Sequence, residues 1–182
     1  KGLMNKALNG TDPVVFIESQ RLYNTGEMFH TEGVPEAYYE IEIGDPDVKR
    51  EGSDLTILSI GATLYRAVEA ADILKDKYGI EAEIIDARSL VPFDYEKVLA
   101  SVKKTGRILV TGDACERTSF MKDMAQNISE LAFDDLDAPP VVVGSRNWIT
   151  PAYELEEKFF PQAGWIVDAV HEKILPLSGH VP

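Results

Sequence analysis

From Asp54 to Leu175 short β-branched apolar runs alternate with stretches of helical periodicity, and that alternation restricts the fold more than any other feature of the chain. Leu55-Thr56-Ile57-Leu58-Ser59-Ile60 reads as a strand that stops at Gly61. Leu64, Val68, Ala71 and Leu74 then recur at helical spacing as far as Tyr78, and Gly79 closes the helix. Ala82-Glu83-Ile84-Ile85-Asp86-Ala87 supplies the next strand, and a strand, helix, strand unit of this kind crosses over right-handed with its strands parallel. Asp94 is placed to cap a helix ending near Lys104, and Arg107-Ile108-Leu109-Val110-Thr111 is the third strand. A helix from Thr118 to Ala132 gathers Met121, Met124, Ala125, Ile128 and Leu131 on one side, and Pro140-Val141-Val142-Val143-Gly144 follows as the fourth strand. Thr150-Pro151 is a helix start, and the last helix, Gly164 to Leu175, turns Ile166, Val167, Val170 and Ile174 inward. The expectation is an α/β domain, doubly wound, with a mostly parallel sheet of about five strands, one of them an antiparallel edge strand.

The first 47 residues do not belong to that alternation. After a short helix-like stretch, Leu3 to Leu8, comes Pro13-Val14-Val15-Phe16-Ile17-Glu18, whose four consecutive apolar residues read as a strand buried on both faces. Such a strand needs partners on each side, and none follows nearby. Residues 1–18 are therefore expected to be the remnant of a domain whose body lies upstream, a reading that the start at Lys1 suits. Residues 19–47 scatter Glu27, Glu32, Glu36, Glu40, Glu42, Asp45 and Asp47 among Gly and Pro, as a linker or wrapping arm does. Phe29, Tyr38 and Tyr39 argue against free disorder, and the alternation in Tyr39-Glu40-Ile41-Glu42-Ile43 makes it the expected antiparallel edge strand. Residues 48–182 then form the complete domain.

Composition narrows the function. The chain of 182 residues is 45% apolar, enough for a real core, and carries 31 acidic against 18 basic residues for a formal charge of −13. That charge repels phosphate backbones and anionic lipid, which argues against nucleic-acid and membrane-surface roles and suits a basic protein partner. The single cysteine, Cys115, excludes an internal disulfide, and a reducing compartment is expected. No apolar run approaches the ~20 residues needed to span a bilayer.

Chemistry-bearing motifs are few. His30, His171 and His180 lie in the arm, on the last helix and in the terminal tail; no pair has metal-ligand spacing and no Cys-x-x-Cys exists. Ser59, Ser89 and Ser119 sit outside any Gly-x-Ser-x-Gly elbow and read as turn or cap residues. The turn Ile60-Gly61-Ala62-Thr63 puts a helix amino terminus after a strand but lacks the further glycines or the lysine of a phosphate loop. Asp86-Ala87-Arg88-Ser89-Leu90-Val91-Pro92-Phe93-Asp94 is different: Arg88 falls at the carboxyl end of a parallel strand, where open α/β sheets place ligands or interfaces. A salt bridge from Arg88 to Asp86 or Asp113 is the structural alternative. Asp113, Cys115, Glu116 and Arg117 follow the third strand at the same edge and read as a charged rim.

These residues resemble the beta subunit of the thiamine-diphosphate-dependent 2-oxo acid dehydrogenases, the first component of the pyruvate and branched-chain complexes. Pro13 to Glu18, with Arg21-Leu22-Tyr23 behind, is similar to the end of that subunit's pyrimidine-binding domain. Glu51-Gly52-Ser53-Asp54-Leu55-Thr56-Ile57, Asp86 to Asp94 and Ser101-Val102-Lys103-Lys104-Thr105-Gly106-Arg107 resemble the transketolase-type carboxy-terminal domain. Two motifs depart: Gly112 to Met121 stands where the family has His-Glu-Ala-Pro-Arg-Thr-Gly-Gly-Phe-Gly, and Arg146-Asn147-Trp148 where it has Asp-Thr-Pro. The carboxy-terminal motifs alone are shared with transketolases, so a transketolase-like enzyme is an alternative parent, and a free-standing α/β assembly module is another.

The resemblance implies an oxidoreductase parent that decarboxylates a 2-oxo acid on thiamine diphosphate and passes the acyl group to a lipoyl arm. It also implies that the activating glutamate and the magnesium-diphosphate motif lie outside these 182 residues, so that the chain by itself has no catalytic or cofactor-binding residue and no activity. Implied partners are an alpha subunit or alpha half, a second beta copy and the lipoyl-bearing dihydrolipoyl acyltransferase, in the bacterial cytoplasm or another reducing compartment. Family members hold a monovalent cation on backbone carbonyls before the Pro-Val-Val-Phe strand, which maps to Ala7, Gly10 and Asp12. The acyltransferase docks a small basic domain on the carboxy-terminal domain, for which Asp134, Asp135 and Asp137 are the acidic candidates.

Overall fold

A computed structural model describes residues 1–26, 28–30 and 32–182, with Arg21 described by its backbone alone. Glu27 and Thr31 of the arm, and the Arg21 side chain of the family motif, thus lie outside the described residues. A five-stranded sheet forms from β1 (Asp47–Arg50), β2 (Leu55–Ile60), β3 (Ala82–Asp86), β4 (Ile108–Cys115) and β5 (Val141–Ser145), in the order β1-β3-β2-β4-β5. β2 pairs in parallel with β3 and β4, β4 in parallel with β5, and β1 runs antiparallel on β3. The expected doubly wound α/β sheet is observed, with its antiparallel strand at an edge.

Helices cover both faces. α2 (Leu64–Tyr78) and α5 (Ala163–Lys173) lie on one side, α3 (Glu96–Thr105) and α4 (Phe120–Leu131) on the other. The strands serve both layers by alternation: Leu55, Ile57, Ile84, Leu109 and Val143 join the α2/α5 core, while Leu58, Ile85, Ile108, Val110 and Val142 join the α3/α4 core. This is why they read as continuous apolar runs. α2 stops because Gly79 adopts φ +67°, letting its N–H reach Lys75 O (3.0 Å) and the Ile80 N–H reach Leu74 O (3.1 Å), a Schellman ending that a Cβ would strain. α3 starts where the sequence places it, with the Asp94 carboxylate accepting the Glu96 N–H at 2.9 Å.

Three local expectations are corrected. Pro13 to Ser19 is not a strand: it has no regular structure and is exposed, Val15 at 86% and Ile17 at 88%, because no strand among the described residues offers it a ladder. The edge strand is Asp47–Arg50 and not Tyr39–Ile43, whose apolar residues are used instead by α1 (Gly2–Leu8). Gly2 is buried against Tyr39 and Ile41, Asn5 Nδ2 donates to Tyr39 O (2.7 Å), and Lys6 pairs with Glu42 (2.8 Å). Thr150-Pro151 opens no α-helix; a 3-10 turn, Tyr153–Lys158, stands there.

Candidate functional site

The chain leaves β2 towards β3 on one side and returns through α3 to β4 on the other, so the carboxyl ends of β2 and β4 form the switch point of the sheet. Thr63, on the 3-10 turn Gly61–Thr63, donates its hydroxyl to Asp113 Oδ1 across this point at 2.6 Å. A hollow of about 250 Å³ opens beside the pair, lined by Ala62, Tyr65, Arg66 and Phe160.

Next to it, at the end of β3, Arg88 takes φ +55°, uncommon for a residue with a side chain. Its N–H donates to Asp86 Oδ1 (3.1 Å), and its guanidinium pairs with Asp47, which also holds Lys49 Nζ at 2.7 Å. Neither Asp86 nor Asp113 is therefore the side-chain partner expected for Arg88; the antiparallel register, Asp47 opposite Asp86, brings Asp47 closer. Burial pushes the Asp86 carboxyl above the usual aspartate range, opposed by the Arg88 N–H and the nearby Lys49 and Arg88 charges. A second hollow of about 340 Å³ lies above this cluster, between Lys49, Tyr65, Asp86 and Arg88. Gly44 is tied to the same loop, its N–H donating to Ser89 Oγ (3.1 Å) and its carbonyl accepting from the Asp94 N–H (2.8 Å).

Lys49 and Arg88 both spend their charge on Asp47. The Ser59 and Ser119 hydroxyls are buried without a hydrogen-bond partner, and Ser89 accepts from a backbone amide, as a loop tie does. Cys115 is exposed, its thiol 3.7 Å from Arg146 O, and the Glu116 N–H continues the β4 pairing to Ser145 O at 3.1 Å. Among the described residues no three His, Cys, Asp or Glu groups converge as a metal site.

The other candidate residues stand apart. Asp134 and Asp135 are exposed on the 3-10 turn Phe133–Asp135 after α4, while Asp137 pairs with Arg107 (3.3 Å) and donates its N–H to Gly106 O (2.8 Å). Beside them an apolar hollow of about 450 Å³ is formed by Phe133, Leu136, Ala138, Pro139 and Pro140. It lies at the amino ends of β4 and β5, across the sheet from the Arg88 rim. Ala7, Gly10 and Asp12 occupy α1's last turn and the exposed turn beyond, where Ala7 O already accepts the Gly10 N–H at 3.3 Å. Sequence reasoning missed Asp47 and Lys49 as Arg88's companions; their i, i+2 spacing on one face of a strand was the available signal.

Comparison with known proteins fits this geometry. The family described as "Transketolase, C-terminal domain" matches residues 44–166. The chain is 39% identical over 161 residues to the pyruvate dehydrogenase E1 component subunit beta of Bacillus subtilis, covering 88% of this chain and 48% of that protein. It is 38% identical over 174 residues to the acetoin:2,6-dichlorophenolindophenol oxidoreductase subunit beta of the same organism, covering 94% and 49%. Among solved structures, a split-gene transketolase in an inactive beta4 tetramer superposes with a TM-score of 0.65 at 30% identity, over 78% of this chain and 47% of that one. The chain spans about half the length of the curated relatives it matches. No helix among the described residues is long and apolar enough to cross a membrane. With its five-stranded mixed sheet and matching motifs, the chain belongs to the transketolase C-terminal domain family.

Proposed function

We propose that this chain is the carboxy-terminal part of the beta subunit, or beta half, of the decarboxylating first component of a 2-oxo acid dehydrogenase complex, and that it serves subunit assembly and partner docking. The carrying observation is the 39% identity to a pyruvate dehydrogenase subunit beta across 88% of the chain. Residues 1–18 are then the remnant of the pyrimidine-binding domain, 19–47 a wrapping arm and 48–182 the transketolase-type domain. The exposed apolar face of Val14 to Ile17 supports this, because a buried β-ladder is where such a segment is stable. The parent uses thiamine diphosphate and magnesium with a lipoyl acceptor in the cytoplasm. The activating glutamate and the magnesium-diphosphate motif belong to the rest of the parent, outside these 182 residues. The Ala7, Gly10 and Asp12 carbonyls belong to a monovalent-cation site completed by upstream sequence.

Assembly joins the chain to the alpha subunit and a second beta copy through the carboxyl edge, where the Arg88 and Asp113 loops stand. The basic domain of the dihydrolipoyl acyltransferase docks at the opposite edge, on Asp134, Asp135 and Asp137 beside the Phe133–Pro140 hollow, an apolar seat with an acidic rim. The test is surface plasmon resonance with the cognate acyltransferase. Charge reversal of Asp134 and Asp135 should weaken binding tenfold or more, steepest at low salt; unchanged affinity would remove this docking assignment. The near-equal identity to an acetoin oxidoreductase subunit supports a second reading, an acetoin-cleaving parent, which a substrate comparison on the assembled enzyme separates.

A further inference from the structure

The end of the chain folds back onto α2 and α5 through two histidines that are bonded in different ways. His171, on α5, accepts the Leu177 N–H at Nδ1 at 2.8 Å. His180 sits in the tail with Nε2 2.8 Å from Asp168 Oδ1 on α5 and Nδ1 2.8 Å from the Tyr78 hydroxyl on α2. Its N–H donates to Leu177 O at 3.2 Å, and the two imidazole centroids are 5.0 Å apart. Between them Leu177 is 3% exposed and belongs to the core shared by α2 and α5. The tail is thus held by a buried leucine and three polar ties.

We propose that residues 175–178 form a protonation-sensitive clasp, docked while His171 is neutral and released when His171 takes a proton at Nδ1. A backbone amide can only donate, so Nδ1 must present its lone pair to Leu177 for the bond to exist. Protonation puts two donors face to face and leaves a buried N–H without an acceptor. His180 responds differently. When charged it donates from Nε2 to the Asp168 carboxylate and from Nδ1 to the Tyr78 oxygen, which can accept as well as donate, so its ties survive. The His180 ring packs against His171, with Tyr78 of α2 and Asp168 of α5 bonded to His180 behind it. The His171 and His180 rings lie 5.0 Å apart, so the bond at Leu177 and the two His180 bonds sit side by side in one contact. Release uncovers the apolar seat of Leu177 between α2 and α5. The inference stands independently of the dehydrogenase reading.

The test is nitrogen-15 NMR on the full 182-residue chain from about pH 8 to about pH 5, the range in which imidazoles change charge. The scalar coupling across the Leu177 N–H···Nδ1 His171 hydrogen bond should vanish with His171 protonation. The backbone heteronuclear NOE of residues 175–178 should fall with the same midpoint, while that of His180, whose ties survive, holds. In His171→Gln, whose side-chain oxygen accepts without titrating, the tail should stay ordered at both ends of the range. An NOE that holds while the His171 ring titrates, or a tail in His171→Gln that loosens with acid as wild type does, would overturn the clasp. If that variant does not fold, the wild-type coupling and NOE decide alone.

Discussion

Beneath the sheet, Glu83 of β3 is 4% exposed, and its carboxylate depends on one cation. Lys104, at the end of α3, binds it directly and reaches Glu51 at 3.3 Å, and the Gly52 N–H donates to Glu83 Oε2 at 3.3 Å. Lys104→Met keeps the length and the apolar stem but removes the charge, so a buried carboxylate is left with neutral donors. A buried group stripped of a partner costs about 1–3 kcal/mol, and breaking a fully buried ion pair about 3–5. Lys104 is 42% exposed, which lets water replace part of the lost contact. The expected loss is about 2 kcal/mol at neutral pH, or about 4–8 °C in melting midpoint. Burial pushes the Glu83 carboxyl up, but hydrogen bonds from Lys104 and Ser101 outweigh it and hold it below the ordinary glutamate range. A carboxyl whose folded value is depressed contributes stability above its unfolded value, about 4.3, and loses it as pH falls through the folded one. The gap between wild type and Lys104→Met should therefore be widest near neutrality and shrink towards pH ~3. Urea denaturation at several pH values measures it, and Glu83→Gln with the double variant isolates the pairwise energy. A cost below about 0.5 kcal/mol at neutral pH, or one equally large in acid, would refute the reasoning.

Other outcomes follow from the same packing. Asp86→Asn should stabilise the chain in mildly alkaline urea melts and do so less in acid, because burial raises the Asp86 carboxyl and ionising it costs folding free energy as pH rises. Gly144→Ala should destabilise by about 2 kcal/mol, since its Cβ would meet Ala114 O at 2.6 Å and Met121 Cε at 2.7 Å. Val15→Asp with Ile17→Asp should shift the stability of this chain by less than about 0.5 kcal/mol, both side chains being more than four-fifths exposed; a larger loss in the same melts would mean that the segment is packed.

What was legible in the sequence is what local pattern decides. β2, β3, β4 and β5 announce themselves because strands buried on both faces need largely apolar runs, and Gly79 and Asp94 mark helix ends by their own chemistry. Where the partner is distant, pattern misleads. Tyr39–Ile43 alternates as an edge strand would, yet α1 takes its apolar residues, while Asp47–Arg50 carries three charged residues in four and becomes the strand because its backbone lies along β3. Arg88 follows the end of β3, where the sequence places it, but its ion pair with Asp47 spans 41 positions and depends on the antiparallel register. The Tyr78, Asp168 and His180 contacts arise from a tail that doubles back, which no local period encodes.

The most direct test of the assignment is a chimera in which residues 44–182 replace the matching carboxy-terminal part of the Bacillus subtilis pyruvate dehydrogenase subunit beta, co-expressed with its alpha subunit. The expected result is an assembled alpha–beta complex that binds thiamine diphosphate with magnesium in calorimetry and decarboxylates pyruvate. A chimeric subunit that folds by circular dichroism yet remains separate from alpha would contradict the assembly role.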